Sequence, residues 1–222
     1  MDSAERLLVD EQIKIVRLFT PPFDHSQPHP GYIMGYPPGV RENGGQYTHG
    51  SLWLAMARAR LGDGDAAVRL LQVMNPVERN RTPGDLDRYR GEPYVVAADV
   101  SAAPNFAGRS GWTWYTGAAG WMYRIWIEEV LGFHLRGNLL TMNPVIPQDW
   151  PGFELWYRYG STHYEIRVVN HSAVPSVDLD GRPVPGGEVP LVDDGRSHVV
   201  LVNILFPSAQ SLDTQSHAEL AH

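Results

Sequence analysis

The chain has 222 residues, 43% of them apolar, and a formal net charge of −7. The apolar share supports a folded core, and the acidic balance argues against nucleic acid as a partner, which would need a basic face. Because the chain has no cysteine, it excludes disulfides, thiolate metal sites and catalytic thiols. No run approaches the ~18 apolar residues of a membrane span, and the N-terminus lacks the pattern of a signal peptide, so a cytoplasmic location is expected.

The first part of the chain, residues 1–132, is predicted to be helical. Helices are predicted over residues 3–19, 45–61, 65–74 and 114–131. The first rests on Val9, Ile13 and Val16 at near-helical spacing, and Gly62-Asp63-Gly64 joins two of the others into an antiparallel hairpin. Long irregular segments are predicted over residues 21–44 and 75–111, and loops of that length often carry function.

After Gly132 the apolar period changes from helical spacing to alternation, as in Phe153, Leu155 and Tyr157. Turn signals recur at regular intervals through this part of the chain, which favours short antiparallel strands. An antiparallel, jelly-roll-like β-sandwich is therefore predicted over residues 133–206, followed by a disordered tail over 207–222. The fold class is α then β.

The stretch from Gly31 to Gly50 is much richer in glycine, proline and aromatic residues than an ordinary connector. It ends in a polar cluster formed by Arg41, Glu42, Asn43, Gln46 and His49. A long loop with a shaped backbone and clustered polar groups is more often a site than a plain connection. The alternative is a structured loop whose glycines and prolines only make turns.

Two glycine-bearing stretches open predicted helices, at residues 44–49 and 111–117. A helix N-terminus presents unpaired N–H groups and the positive end of a dipole, so it can bind an anion. If the two ends converge, His49 and Thr116 would form a phosphate pocket that needs no lysine. The alternative is ordinary helix capping by threonine and glycine.

Several carboxylates could serve in acid–base chemistry: Glu42, Asp85, Asp87, Glu92 and Asp99. Glu42 is favoured because it lies in the shaped loop. A glycosidase needs two carboxyl groups facing one bond, and the sequence shows no partner opposite Glu42. No histidine pair has metal-ligand spacing, so no metal site is predicted.

Three ordered motifs make the sequence resemble a known family. They run from Gly31 to His49, from Glu92 to Ala97 and from Gly111 to Trp121. Over about residues 5–206 the chain resembles the inverting glycoside phosphorylases, the family that contains cellobiose phosphorylase. Within that family it resembles the C-terminal phosphorylase-like domain of cyclic β-1,2-glucan synthases. The resemblance implies the C-terminal part of an (α/α)6 barrel followed by a β-sandwich.

The family cleaves a β-glucosidic bond with inorganic phosphate as co-substrate and no other cofactor, giving α-glucose 1-phosphate with inversion. One carboxylic acid protonates the leaving oxygen, and phosphate attacks the anomeric carbon, so no second carboxylate is needed. By the resemblance, the phosphate-binding positions are His49, Thr116 and Gly117, and the sugar-binding positions are Glu42, Arg41 and Gln46.

The sequence also departs from the family pattern. The family's general-acid aspartate belongs to an Asp-rich, Trp-containing motif that is expected upstream of these residues. We therefore expect an enzyme fragment that is inactive alone. The implied partners are a β-glucan or β-glucoside oligosaccharide, phosphate, and an upstream fragment or a second copy of the chain. The alternative is a non-catalytic carbohydrate-binding or interaction module that uses Tyr32, Tyr36, Trp112 and Trp114.

Overall fold

A computed structural model of the chain describes residues 1–114 and 116–205, so the predicted tail at 207–222 lies outside the described residues. The chain divides into two compact units, Met1–Val130 and Leu131–His222. We call them the helical unit and the β unit. The order of helices before strands is confirmed, while the (α/α)6 barrel and the sandwich remain predictions. In the part of the chain that the structure describes, no helix is long and apolar enough to cross a bilayer.

The helical unit contains α-helices and short strands, with 3-10 helices at Gly31–Gly35, Glu78–Asn80 and Pro104–Phe106. Its α-helices and strands in chain order are α1 (Asp2–Leu8), β1 (Val9–Asp10), β2 (Ile15–Val16), β3 (Gln46–Tyr47), α2 (Thr48–Arg60), α3 (Gly64–Met74), α4 (Pro83–Tyr89), β4 (Asp99–Val100) and α5 (Ala118–Arg124). A π-helical segment, Ile125–Val130, continues directly from α5. The predicted hairpin of α2 and α3 is confirmed, and Asp63 caps α3 by accepting a hydrogen bond from the Ala66 N–H at 3.0 Å.

The predicted helix over residues 3–19 is wrong beyond Leu8. The chain turns into a hairpin in which β1 and β2 pair antiparallel, with Val9 opposite Val16. Ile15 and Val16 are almost completely buried, and β-branched residues fit such a pleated, buried position well. Val9 and Val16, whose spacing in the sequence suggested one face of a helix, are therefore opposite residues of two paired strands.

Three further elements differ from the prediction. Helix α5 begins at Ala118 instead of residue 114, and the segment from Ile125 onward is π-helical. Helix α2 begins at Thr48 because the two residues before it form β3, which pairs antiparallel with β4. Helix α4 lies inside the segment predicted to be irregular. Its start carries a local signal, since the Thr82 hydroxyl accepts a hydrogen bond from the Asp85 N–H and Pro83 follows the cap.

The β unit contains strands β5 (Phe133–Arg136), β6 (Leu139–Met142), β7 (Gly152–Tyr159), β8 (Thr162–Val169), β9 (Ser176–Leu179), β10 (Arg182–Pro183), β11 (Glu188–Pro190) and β12 (Ser197–Asn203). They form one sheet of order β10-β9-β12-β8-β7 and another of order β11-β6-β5. Buried residues of both sheets, including Leu140, Ile166, Val189 and Val200, share one apolar cluster.

Strand β12 corrects the prediction of strictly antiparallel strands. It pairs antiparallel with β9 but parallel with β8, in a register from Ser197 opposite His163 to Asn203 opposite Val169. The alternation of Val200 and Val202 gives the buried face of the strand. It carries no information on strand direction, so the sequence could not reveal the parallel pair.

Candidate functional site

A cavity of about 430 Å³ in the helical unit brings together distant segments of the chain. It is lined by Arg41, Tyr47, His49, Ala98, Trp114, Thr116 and Gly117. The three residues predicted to bind phosphate therefore share one cavity with Arg41, which was predicted to bind sugar. Glu42 and Gln46 do not line it. The roles of all six remain predictions.

The ring of His49 lies in the first turn of α2, beside two tryptophans that also lie close to each other. Its centroid is 5.5 Å from the Trp53 ring and 5.8 Å from the Trp121 ring. Trp53 follows His49 by one helical turn, which places both side chains on the same face of α2. The ring nitrogens make no hydrogen bond within residues 1–114 and 116–205. Packing thus orients the imidazole and leaves both nitrogens for a ligand.

The segment before α5 supplies Thr116 and Gly117. The Thr116 hydroxyl oxygen accepts a hydrogen bond from the Ala118 N–H at 2.9 Å, so this threonine does cap the following helix. A hydroxyl that accepts one bond still has its own O–H to donate. A Cβ added to Gly117 would lie 3.4 Å from His49 Nδ1, so the missing side chain leaves the imidazole room beside the backbone.

Asn43 fixes the loop that presents Arg41. Its buried side chain donates hydrogen bonds to the backbone oxygens of Phe23 and Tyr36, at 2.8 and 2.7 Å, and accepts one from the Phe23 N–H at 2.7 Å. A Cβ on Gly45 would lie only 2.9 Å from the backbone oxygen of Arg41, so the loop closes tightly there. Arg41 itself adopts a left-handed backbone conformation, with φ of 51°.

The Arg41 guanidinium lies between two aromatic rings. Its carbon is 5.4 Å from the Tyr36 centroid and 4.8 Å from the Trp112 centroid, within the range of cation–π contacts. Nε is 3.7 Å from Glu42 Oε2. Both of these atoms are buried and have no hydrogen-bond partner in the described part of the chain. Burying such groups without a hydrogen bond costs free energy, so both atoms lack a hydrogen-bond partner that a ligand could supply.

Asp99 supports one side of this arrangement. Its buried carboxylate accepts a hydrogen bond from the Trp112 N–H at 3.2 Å. A Cβ on Gly111 would overlap that carboxylate, so the close approach depends on glycine. Burial raises the pKa of Asp99, against the opposing effects of the Trp112 hydrogen bond and the Arg41 charge. Asp99 thereby fixes the backbone of the tryptophan that covers Arg41.

Trp114 forms the exposed edge of the cavity. It has a left-handed φ of 64°, a strained conformation for a bulky residue. Its indole is 74% exposed and donates a hydrogen bond to Glu92 Oε1 at 3.3 Å, and the Tyr94 ring lies 6.4 Å away. The indole thus has a defined position even though most of its surface faces solvent.

Gln46 lies in the interior of the helical unit. Its Oε1 accepts hydrogen bonds from the Val16 N–H at 3.1 Å and from Arg79 Nη2 at 2.8 Å, and its Nε2 donates to Thr48 Oγ1 at 2.9 Å. These bonds engage both the oxygen and the nitrogen of the amide group, and they link β2, β3 and α2. The predicted role of Gln46 in binding sugar remains a prediction, and its observed contacts are internal.

Tyr47 and Ala98 were not predicted to line a site. They reach the cavity through the pairing of β3 with β4, with Tyr47 opposite Asp99. Strands of two residues, separated by some fifty positions, leave no local pattern from which this pairing could be inferred. Within the described residues, no group of three His, Asp or Glu side chains is arranged to hold a metal ion.

Comparison with known proteins gives a consistent assignment. Residues 1–132 match the profile of the glycosyl hydrolase 94 superfamily, catalytic domain. The chain is 48% identical over 172 residues to the cyclic β-(1,2)-glucan synthase NdvB of Rhizobium meliloti, which covers 78% of this chain and 6% of that protein. It is 30% identical over 192 residues to N,N'-diacetylchitobiose phosphorylase of Vibrio proteolyticus, with 84% of this chain and 24% of that protein covered.

A third relative is the 1,2-β-oligoglucan phosphorylase of Listeria innocua. The identity is 27% over 171 residues, which is 71% of this chain and 15% of that protein. The chain therefore spans about a quarter or less of the length of each of these three relatives.

Proposed function

The chain belongs to the glycosyl hydrolase 94 superfamily, and on that premise we propose that it is the C-terminal part of an enzyme that cleaves β-glucosidic bonds with phosphate. The observation that carries this proposal is the single cavity shared by His49, Thr116 and Gly117. Two of its relatives are phosphorylases by name, and two names refer to β-1,2-linked glucans. A β-1,2-gluco-oligosaccharide is therefore the substrate that we propose first.

The proposed chemistry needs no cofactor besides inorganic phosphate. A phosphate oxygen forms the new bond to the anomeric carbon while the bond to the leaving oxygen breaks, and a carboxylic acid gives that oxygen its proton. Inversion yields α-glucose 1-phosphate. We propose that the acid comes from a part of the enzyme outside these residues, which agrees with the small share of the relatives that the chain spans.

Each cavity residue has a proposed role in holding the nucleophile. His49 donates from a ring nitrogen that has no other partner in the described residues, and Thr116 donates its hydroxyl hydrogen. Gly117 lets the anion approach the backbone. Glu42 is the proposed sugar ligand, since its buried Oε2 has no hydrogen-bond partner in that same part of the chain.

The experiment is a phosphorolysis assay with β-1,2-gluco-oligosaccharides and phosphate. We expect no glucose 1-phosphate from the chain alone, and release when an upstream catalytic-domain fragment of the glucan synthase relative is added. His49→Ala should abolish that release, whereas Asn105→Ala, at an exposed position that does not line the cavity, should leave it unchanged. Release that survives His49→Ala would contradict the assigned role, and no release in any combination would contradict the enzyme function.

A carbohydrate-binding module is the second candidate, because large aromatic side chains are exposed near the cavity. Tyr32, Trp112 and Trp114 have exposed fractions of 71%, 56% and 74%, and flat aromatic faces suit the C–H faces of sugars. Titration calorimetry with glucans distinguishes the two functions. Sugar binding that is indifferent to phosphate and to His49→Ala would favour the module.

We also propose that the helical unit pairs with an upstream fragment or a second copy. Trp53 and Tyr123 are 51% and 67% exposed on its helices, and exposed apolar groups of this size often mark contact surfaces. Light scattering tests self-association. A monomer at every concentration would exclude the second copy and leave the upstream fragment as the proposed partner.

A further inference from the structure

We propose that Arg41 binds the phosphate group in this cavity, not the sugar that the resemblance assigned to it, and that Tyr36 and Trp112 hold its guanidinium for that purpose. The inference rests on the proposed phosphate dependence and adds one residue to the same site. The ligand class is a phosphate group, either inorganic phosphate or the phosphate of a sugar 1-phosphate.

The hydrogen-bonding state of Arg41 points to an absent acceptor. A guanidinium carries five N–H donors in a fixed plane, yet within residues 1–114 and 116–205 none of those of Arg41 makes a hydrogen bond. Its side chain is 21% exposed, and Nε is the nitrogen that is both buried and without a hydrogen-bond partner among the described residues. The neighbouring rings stabilise its charge but accept no conventional hydrogen bond. A phosphate oxygen would supply the acceptor that this geometry lacks.

The nearby carboxylates do not fill that place. Glu42 approaches only Nε, at 3.7 Å, beyond hydrogen-bonding distance. Asp99 engages the Trp112 N–H instead, and its raised pKa, caused mainly by burial, shows that its charge is poorly stabilised there. Because Nε is buried while Arg41 lines the cavity, the terminal nitrogens are the part of the guanidinium that a ligand can reach.

The charge of the cavity supports the same assignment. His49 and Thr116 offer donors without a permanent charge. Arg41 is the one permanently charged cation among the described residues that line the cavity. The planar fork of arginine matches two oxygens of a phosphate, and charge-assisted bonds of this kind are among the strongest available to a protein. A neutral sugar could accept hydrogen bonds from the guanidinium, but it carries no charge to balance that of Arg41.

The test measures ligand affinity of the full chain by calorimetry and tryptophan fluorescence. The ligands are inorganic phosphate, glucose 1-phosphate and a neutral β-1,2-linked glucose disaccharide. Arg41→Met keeps the aliphatic stem and removes the charge. The matched control is Arg109→Met, because Arg109 also lies over an aromatic ring, Phe106 at 5.7 Å, but does not line this cavity.

We expect Arg41→Met to weaken both phosphate ligands roughly tenfold or more, as loss of a charge-assisted hydrogen bond implies, and Arg109→Met to leave them unchanged. Unchanged phosphate affinity in a folded Arg41→Met variant would overturn the inference. So would a loss confined to the neutral disaccharide, since that result would return Arg41 to the sugar.

Two further results separate this inference from the proposed function. If His49→Ala leaves phosphate affinity intact while Arg41→Met removes it, the assigned role of His49 fails and that of Arg41 stands. If the wild-type chain binds no phosphate, both fail. Should Arg41→Met not fold, the side-chain N–H resonance of Arg41 in the wild-type protein decides. It must shift during a phosphate titration, and a fixed resonance while phosphate binds would overturn the inference.

Discussion

Asn43 is a single side chain that holds together the loop leading to the cavity. Its three hydrogen bonds go to the backbones of Phe23 and Tyr36, which lie 20 and 7 residues away. Tyr36 also covers one face of Arg41. The position of the Arg41 guanidinium therefore depends on a residue that touches no part of the cavity.

Replacing Asn43 by alanine should destabilise the chain by about 3 kcal/mol, because buried polar groups left without partners cost on the order of 1–3 kcal/mol each. The measurement is urea unfolding followed by circular dichroism. Asn105→Ala removes the same side chain from an exposed position and should change stability little. Equal stability of the two variants would show that the Asn43 hydrogen bonds are replaced by water.

His198 gives the β unit a predictable response to pH. Its Nδ1 lies 2.7 Å from Asp180 Oδ2 and its Nε2 3.3 Å from Asp194 Oδ1. The hydrogen bond to Asp180 is the main cause that raises the pKa of His198 above its ordinary 6.5, with Asp194 acting in the same direction. The pKa of Asp180 is lowered in return, chiefly by its bond to His198.

The direction in which stability changes with pH follows from the linkage between protonation and folding. The contribution of His198 to the stability of the folded state is fully present below pH 6.5 and is lost as the pH rises through its raised pKa. The Asp180 contribution is lost as the pH falls through its lowered pKa, below 3.8. Wild type should therefore exceed His198→Gln in melting temperature most clearly at about pH 5.5 and less at about pH 9. A difference that stays constant across this range would mean that only the ring stacking on Tyr164 matters.

At the scale of residues, the roles of the site candidates stay predictions. His49, in the first turn of α2, and Thr116, just before α5, line one cavity. Gln46 looked similar in the same motif, yet its amide lies inside the unit. Residue type and spacing cannot tell these cases apart, since the direction of each side chain is set by the pairing of β3 with β4.

Among the elements, Arg79 lies just after α3 and links that helix to the turn before β2 and to β3. Its guanidinium donates hydrogen bonds to the backbone oxygens of Val73 and Lys14 and to Gln46 Oε1. It is 3% exposed, and burial lowers its pKa to about 10. Through Gln46 the connection reaches β3 and the start of α2, so Arg79 supports the element that carries His49 without approaching it.

Arg79→Met should cost on the order of 3 kcal/mol, because one buried and two partly buried acceptors lose their donor. Arg81→Met is the matched control, since Arg81 is largely exposed and makes only a surface ion pair with Glu78, worth little in stability. Thermal and urea unfolding of both variants give the comparison. Similar free energies of unfolding for Arg79→Met and Arg81→Met would contradict the structural role of Arg79.

Two segments of the helical unit differ from what their local sequence patterns predict. Helix α4 was missed although Thr82 and Pro83 form a helix-start signal, because the helix is short and has little apolar periodicity. The predicted helix over 3–19 extends too far because Val9 and Val16 have helical spacing in the sequence but lie opposite each other in a strand pair. Long-range contacts decide such cases, and the β1–β2 pair is one of them.

For the molecule as a whole, the site residues belong to the helical unit. Phosphate binding should therefore raise amide-exchange protection there and leave the β unit unaffected, since a ligand stabilises the structure that binds it. Hydrogen–deuterium exchange with and without phosphate measures this. The gain should appear near Arg41, His49 and Thr116. An equal gain in β7 and β8 would contradict the assignment.

The order of helices and strands was predictable because apolar spacing changes once, near Gly132. The order of the strands in each sheet was not predictable. The alternation of apolar residues shows which face of a strand is buried, but not which strand lies beside it. Phe153 and Leu155 were expected on a strand, and β7 contains both. Nothing in those residues indicated that β7 would form one edge of its sheet.

The place of β12 has a consequence for how the protein is made. Among the described residues it is the last strand, yet it lies in the middle of its sheet, between β8 and β9. Until a ribosome has released residues 197–203, these two strands have open edges that can pair with other chains. The larger sheet of the β unit can therefore be completed only after residues 197–203 have been synthesised, and a nascent chain that stalls before Ser197 should be the species most prone to aggregate.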